Sequence, residues 1–142
     1  MESLRMLSPA EATSTLLTWN IESDGDLRRI REDIRRFFAE RTPGLADDRV
    51  AQHMGLVATE LAGNALRHGL PPATARLLSS DGHYILDVSD GAVGEMPRPD
   101  PAPQNIHAGG RGLPICLAVA EQVCWYTTGT AKHVWASFPR SR

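Results

Sequence analysis

The 142-residue sequence predicts an α+β fold: a two-layer α/β sandwich with helices on one face of a mixed, mostly antiparallel sheet. Three observations carry the prediction. Paired apolar runs flank turn signals at Asp81-Gly82 and Gly129-Thr130 and read as hairpins. Two stretches of helical periodicity lie together ahead of the first hairpin. The resulting order, β-α-α-β-β-loop-α-β-β, lacks the repeated βαβ units of a doubly wound parallel sheet.

Residues 1–11 read as a flexible N-terminus and 12–142 as a single domain, as expected at this length. STLLTWNI, Ser14 to Ile21, is apolar and β-leaning, and forms the first strand. Asp24 or Asp26 then caps a helix in which Leu27, Ile30, Ile34, Phe37 and Phe38 recur at helical spacing. Pro43 and Gly44 break it. A second helix runs from about Asp47 to His68 on a stripe of Val50, Met54, Val57, Leu61 and Ala65. Gly69 reads as its C-terminal stop, and Pro71 and Pro72 forbid continuation. TARLLSSDGHYILDVSD is the first hairpin, with Asp81-Gly82 suited to a type I′ turn.

The segment GAVGEMPRPDPAPQNIHAGG has prolines at alternate positions from Pro97 to Pro103 and forms no regular element. A loop of this length in a compact domain is functional or disordered. Helix resumes from Arg111 to about Glu121, with Pro114 in its first turn. QVCWYTT and KHVWASF make the second hairpin. Trp19, Trp125 and Trp135 fall on strands and read as core.

Composition excludes some functions. The net charge of −2 and the lack of a basic stripe argue against direct nucleic-acid binding, which needs clustered cations. No apolar run approaches the ~20 residues of a membrane span, and the N-terminus has no apolar signal-peptide core, so a cytoplasmic protein is expected. Cys116 and Cys124 read as buried small hydrophobes rather than a disulfide or metal pair.

Three polar clusters carry chemistry. In ELAGNALRHG, Glu60, Asn64 and His68 are four residues apart. Each advances about 400° around the helix and drifts about 40° per step, so they share a face. Such a row suits a hydrated cation and a positioned water. Asn64 offers a neutral oxygen to magnesium and Glu60 a proton acceptor. Alone, the row is also an ordinary solvated face with a capping histidine. In SDGAVGEMP, Asp90 ends a strand and enters a turn with Gly91 and Gly94. A carboxylate there can accept from an exocyclic amine, and small neighbours let backbone approach a ring. Alone, it is simply a turn. In HAGGRGLPI, glycines 109, 110 and 112 precede a helix, presenting free N–H groups to phosphate with Arg111 as a fixed cation. Alone, it is a flexible linker. It is neither a Walker A loop nor a dinucleotide fingerprint.

Taken in order, these clusters resemble the GHKL ATPase superfamily, over about residues 12–138. ELAGNALRHG resembles its N box, SDGAVGE its G1 box and GGRGL its G2 box. The ending Asn-Ala-x-x-His-Gly is similar to the anti-sigma-factor serine/threonine kinases and their actinobacterial relatives. The resemblance implies the histidine kinase-like (Bergerat) fold, ATP and magnesium. It implies Asn64 as the metal ligand and Glu60 as general base, with Arg111 touching the γ-phosphate as a second catalytic group. Asp90, Gly91, Ala92 and Gly94 would surround adenine. Gly110, Arg111, Gly112 and Leu113 would wrap the phosphates, beside His68, and Glu95 to Gly109 would form the ATP lid. The implied partners are a sigma factor and a STAS-type anti-sigma antagonist, with a homodimer clasping one sigma factor. Ala92 stands where the family pattern has glycine. In the last hairpin relatives often show Gly-Lys/Thr-Thr-Val-Trp, and here Lys132 is followed by His133 where threonine is common. These departures motivate an alternative, a nucleotide-gated binding regulator with little catalysis.

Overall fold

The first hairpin organises the sheet. In this computed structural model, which describes residues 5–6, 8–9, 14–41, 47–94, 116 and 118–140, Gly82 turns the chain with φ of +81°. That left-handed conformation costs glycine little. Six strands result: β1 (Arg5–Met6), β2 (Ser14–Ile21), β3 (Ala73–Ser80), β4 (His83–Asp90), β5 (Gln122–Thr127) and β6 (Lys132–Pro139). Their order across the sheet is β1-β5-β6-β4-β3-β2. All neighbours are antiparallel except β1 and β5, so the sheet is mixed and mostly antiparallel. The stretch expected to be loose thus contributes a two-residue strand. It carries no alternating pattern because so short an edge pairing rests on backbone hydrogen bonds.

Two helices, α1 (Asp24–Arg41) and α2 (Asp47–His68), follow β2 as expected. The cap of α1 differs from expectation. Asp26 accepts at Oδ2 from the backbone N–H groups of Glu22 (2.8 Å) and Ser23 (3.1 Å). Ser23 is therefore the N-cap and Asp26 the third helical residue reaching back, half of a capping box. The Glu22 N–H bond holds the Asp26 carboxyl below its ordinary range; burial opposes it, and Ser23 and Arg29 add smaller lowering effects.

One face of the sheet receives both helices. Ala75, Leu77, Leu86, Val88, Val123, Ala136 and Phe138 pack with Ile30, Ile34 and Phe37 of α1 and Met54, Val57 and Leu61 of α2. Leu77, Ile30, Ile34, Met54 and Val57 are fully buried, each stabilising the fold by about 1.5–3 kcal/mol. The opposite face carries a smaller cluster of Leu78, Ile85, Cys124 and Trp135. All three tryptophans are buried, and both cysteines are free and buried. Among the described residues, the third predicted helix is represented by helical Cys116, Ala118 and Val119. No helix of the described residues is long and apolar enough to cross a membrane.

Candidate functional site

The end of α2 and the end of β4 meet through glycine. Gly69 N–H still bonds the Ala65 carbonyl (3.0 Å), and its φ lies outside the left-handed region. Gly69 is therefore required by proximity, not by a left-handed helix stop. A Cβ there would fall 2.5 Å from Asp90 Cγ and 2.8 Å from the Ala65 oxygen. Gly91 N–H donates to the Leu70 carbonyl (2.6 Å), and a Cβ on Gly91 would stand 3.0 Å from the Pro71 oxygen. The backbone contacts pin Asp90 beside the last turn of α2.

Asp90 is 5% exposed. Its Oδ1 accepts from the Ala92 N–H at 2.7 Å, and Lys132 Nζ lies 3.8 Å from its Oδ2. Ala92 is buried, whereas Gly94 is exposed and a Cβ on it would meet nothing within 4 Å.

On α2, Glu60 and Asn64 are half-buried and His68 is exposed. Burial pushes the Glu60 carboxyl above its ordinary range, opposed by the charges of Arg67 and Arg31. Such a carboxylate is a better proton acceptor than a solvated one. Burial also pushes the Cys116 thiol up to about 12, helped by the Glu60 charge, so the described part of the third helix lies beside Glu60. The Asn64 amide oxygen accepts from Arg67 at 3.2 Å. Among the described residues no cluster of three His, Cys, Asp or Glu could hold a metal. One amide oxygen fits a magnesium ion held mainly by phosphate and water, and only with Arg67 turned away.

The family comparison bears on this geometry. The family described as the histidine kinase-like ATPase domain matches residues 22–138. The chain belongs to the histidine kinase-like ATPase family. Among curated proteins none matches it. It is similar in fold to the solved RsbU and RsbW domains of Rv1364c from Mycobacterium tuberculosis, at TM-score 0.62 and 19% identity. That similarity covers 92% of this chain but 33% of that one, so this chain spans about a third of its length. The histidine kinase domain of the Erythrobacter litoralis EL346 blue-light activated histidine kinase also matches, at TM-score 0.46 and 22% identity over 93% of this chain and 65% of that one.

Within this ATPase domain the sequence-predicted residues fall into two groups. Glu60, Asn64 and His68 lie on α2, Asp90 ends β4, and Gly91, Ala92 and Gly94 follow it in the turn; the Gly69 contact joins helix to strand. Gly110, Arg111, Gly112, Leu113 and the segment 95–109 lie outside the described residues. Sequence reasoning named Lys132 on the last hairpin but did not place it in the site. Cα pairing of Asp90 with Lys132 puts their side chains on one sheet face, the face that receives α2. His133 points to the other face, where Nδ1 lies 3.0 Å from both Asp87 oxygens and the ring stacks on Tyr126 at 4.5 Å. Strand alternation separates the two, a signal readable only once the β4–β6 register is known.

A groove of about 710 Å³ between α1 and α2, lined by Arg28, Arg31, Arg35, Gln52 and Leu56, borders neither Glu60 nor Asp90. It has no glycine backbone and lies away from the joined motifs.

Proposed function

We propose that this domain binds ATP with magnesium and acts as a serine/threonine protein kinase of the anti-sigma type, in the cytoplasm. Its proposed substrate is a STAS-type antagonist protein, and its proposed captive a sigma factor released when the unphosphorylated antagonist binds. The observation that carries this reading is the join of α2 to β4. It sets a half-buried Glu60 with a raised carboxyl, and the Asn64 oxygen, on the helix that abuts a buried Asp90. Family membership supports the nucleotide. Asp90 would accept from the adenine amine, Asn64 would hold magnesium against the phosphates, and Glu60 would take the proton from a partner's hydroxyl. Bound magnesium would neutralise charge on the phosphates; the remaining work is positioning.

The test has two stages. Calorimetric titration with ATP, with and without magnesium, is expected to show binding that Asn64→Ala weakens in its magnesium-dependent part. Transfer of labelled γ-phosphate to candidate antagonists is then expected from wild type, and at least a hundredfold more slowly from Glu60→Gln. Equal rates would refute Glu60 as the base. The Arg67 hold on Asn64 favours a second reading, a nucleotide-gated binding regulator. Its mark is ATP binding without phosphate on any antagonist.

A further inference from the structure

Lys132 is the one lysine in a chain that otherwise uses arginine, fourteen times. It sits at the first position of β6, and its side chain is 8% exposed. A buried ammonium is costly unless its donors are satisfied. Here the nearest acceptor, Asp90 Oδ2, is 3.8 Å away, too far for a hydrogen bond. Among the described residues Asp90 is its one ion-pair partner, at a distance that leaves its N–H donors directed past the carboxylate. The Asp90 carboxylate is engaged on one side only, at Oδ1 by Ala92 N–H. Its Oδ2 lies between the Gly69 backbone and Lys132. A carboxylate oxygen and an ammonium thus stand side by side at the same strand ends, close enough to attract and too far apart to hydrogen-bond each other. A guanidinium would be wide and planar there, whereas an ammonium is a compact point donor.

That pair is complementary to a purine edge in two ways. An adenine edge offers its 6-amino donor to the carboxylate and its N1 acceptor to the ammonium. A guanine edge offers its N1–H and 2-amino donors to the carboxylate and its O6 acceptor to the ammonium. A carboxylate alone would leave O6 facing negative charge. We propose that Lys132 is a base-reading residue of this domain, and that it lets the pocket take 6-oxopurine nucleotides such as GTP and ITP alongside ATP. The inference rests on the reading of Asp90 as the base-facing carboxylate, and it is confined to specificity.

Competitive displacement of a fluorescent ATP analogue measures it, with ATP, GTP and ITP on wild type, Lys132→Thr and Lys132→Met. Wild type is expected to bind GTP and ITP within tenfold of ATP. Both variants are expected to raise the GTP-to-ATP and ITP-to-ATP dissociation-constant ratios at least tenfold, with folding checked by melting. ITP on wild type tests the 6-oxo group without any variant, so a variant that fails to fold leaves the inference exposed. Wild type that binds ATP but rejects GTP and ITP by a hundredfold overturns the inference and leaves the ATP reading standing. Unchanged ratios in a folded variant likewise overturn the role of Lys132. Wild type that binds none of the three overturns both.

Discussion

Replacing Gly69 by alanine tests the join on which the candidate site depends. The added methyl would stand 2.5 Å from Asp90 Cγ and Oδ2 and 2.8 Å from the Ala65 oxygen. Relaxing these to ordinary contact needs a shift of about 1 Å. The carboxylate can rotate, but a helix carbonyl cannot move without disturbing its turn. Overpacking of this kind costs about 1–3 kcal/mol. Because φ at Gly69 is not left-handed, alanine regains about 0.4–1 kcal/mol by restricting the unfolded chain. The net expectation is a loss of about 1–2 kcal/mol, or about 3–7 °C in melting temperature for a domain of this size. Urea denaturation measures the first quantity and calorimetry the second. Displacement of Asp90 is further expected to weaken ATP binding at least tenfold. Gly94→Ala is the control, since nothing stands within 4 Å of its Cβ; its stability should stay within about 0.5 kcal/mol of wild type. A Gly69→Ala protein with wild-type midpoint and affinity would refute the close-approach argument. Lost stability with unchanged affinity would remove Asp90 from the pocket.

Two other perturbations follow from the electrostatics. The Arg67 charge lowers a Glu60 carboxyl that burial raises, so Arg67→Ala should raise it further. The proposed base acts only when ionised, so the acidic limb of a phosphotransfer pH profile should move to higher pH; a limb that stays put or moves down would contradict the assignment. Because Arg67 is exposed, stability should change by no more than about 0.5 kcal/mol. On the other sheet face, Asp87 is 1% exposed and bonds Arg76 at 3.2 Å and His133 at 3.0 Å. Asp87→Ala should cost about 2 kcal/mol in urea denaturation, below the usual 3–5 kcal/mol of a broken buried pair because Arg76 reaches water. It should leave ATP affinity unchanged, since the pair lies across the sheet from α2.

Helices α1 and α2 were legible because their apolar residues recur at helical spacing for eighteen and twenty-two residues. The β3–β4 hairpin was legible because Asp81-Gly82 separates two apolar runs and Gly82 takes a left-handed φ. The two-residue β1 had no periodicity to read. The N-cap of α1 was displaced from the acids to Ser23 because Asp26 serves from inside the first turn. Glu60, Asn64 and Asp90 were legible as motifs, since each cluster joins particular side chains at fixed short spacing. Their relation was not, because it depends on contact between segments about twenty residues apart.

The sequence by itself determined the two long helices, the hairpins, the family motifs and the candidate carboxylate and amide groups, all of which depend on local spacing. Only the tertiary structure decided why residue 69 is glycine, that Lys132 joins Asp90 while His133 faces away, and that burial raises the Glu60 carboxyl. Those are consequences of strand register and of what the fold excludes from water, and neither is a property of any short stretch of chain.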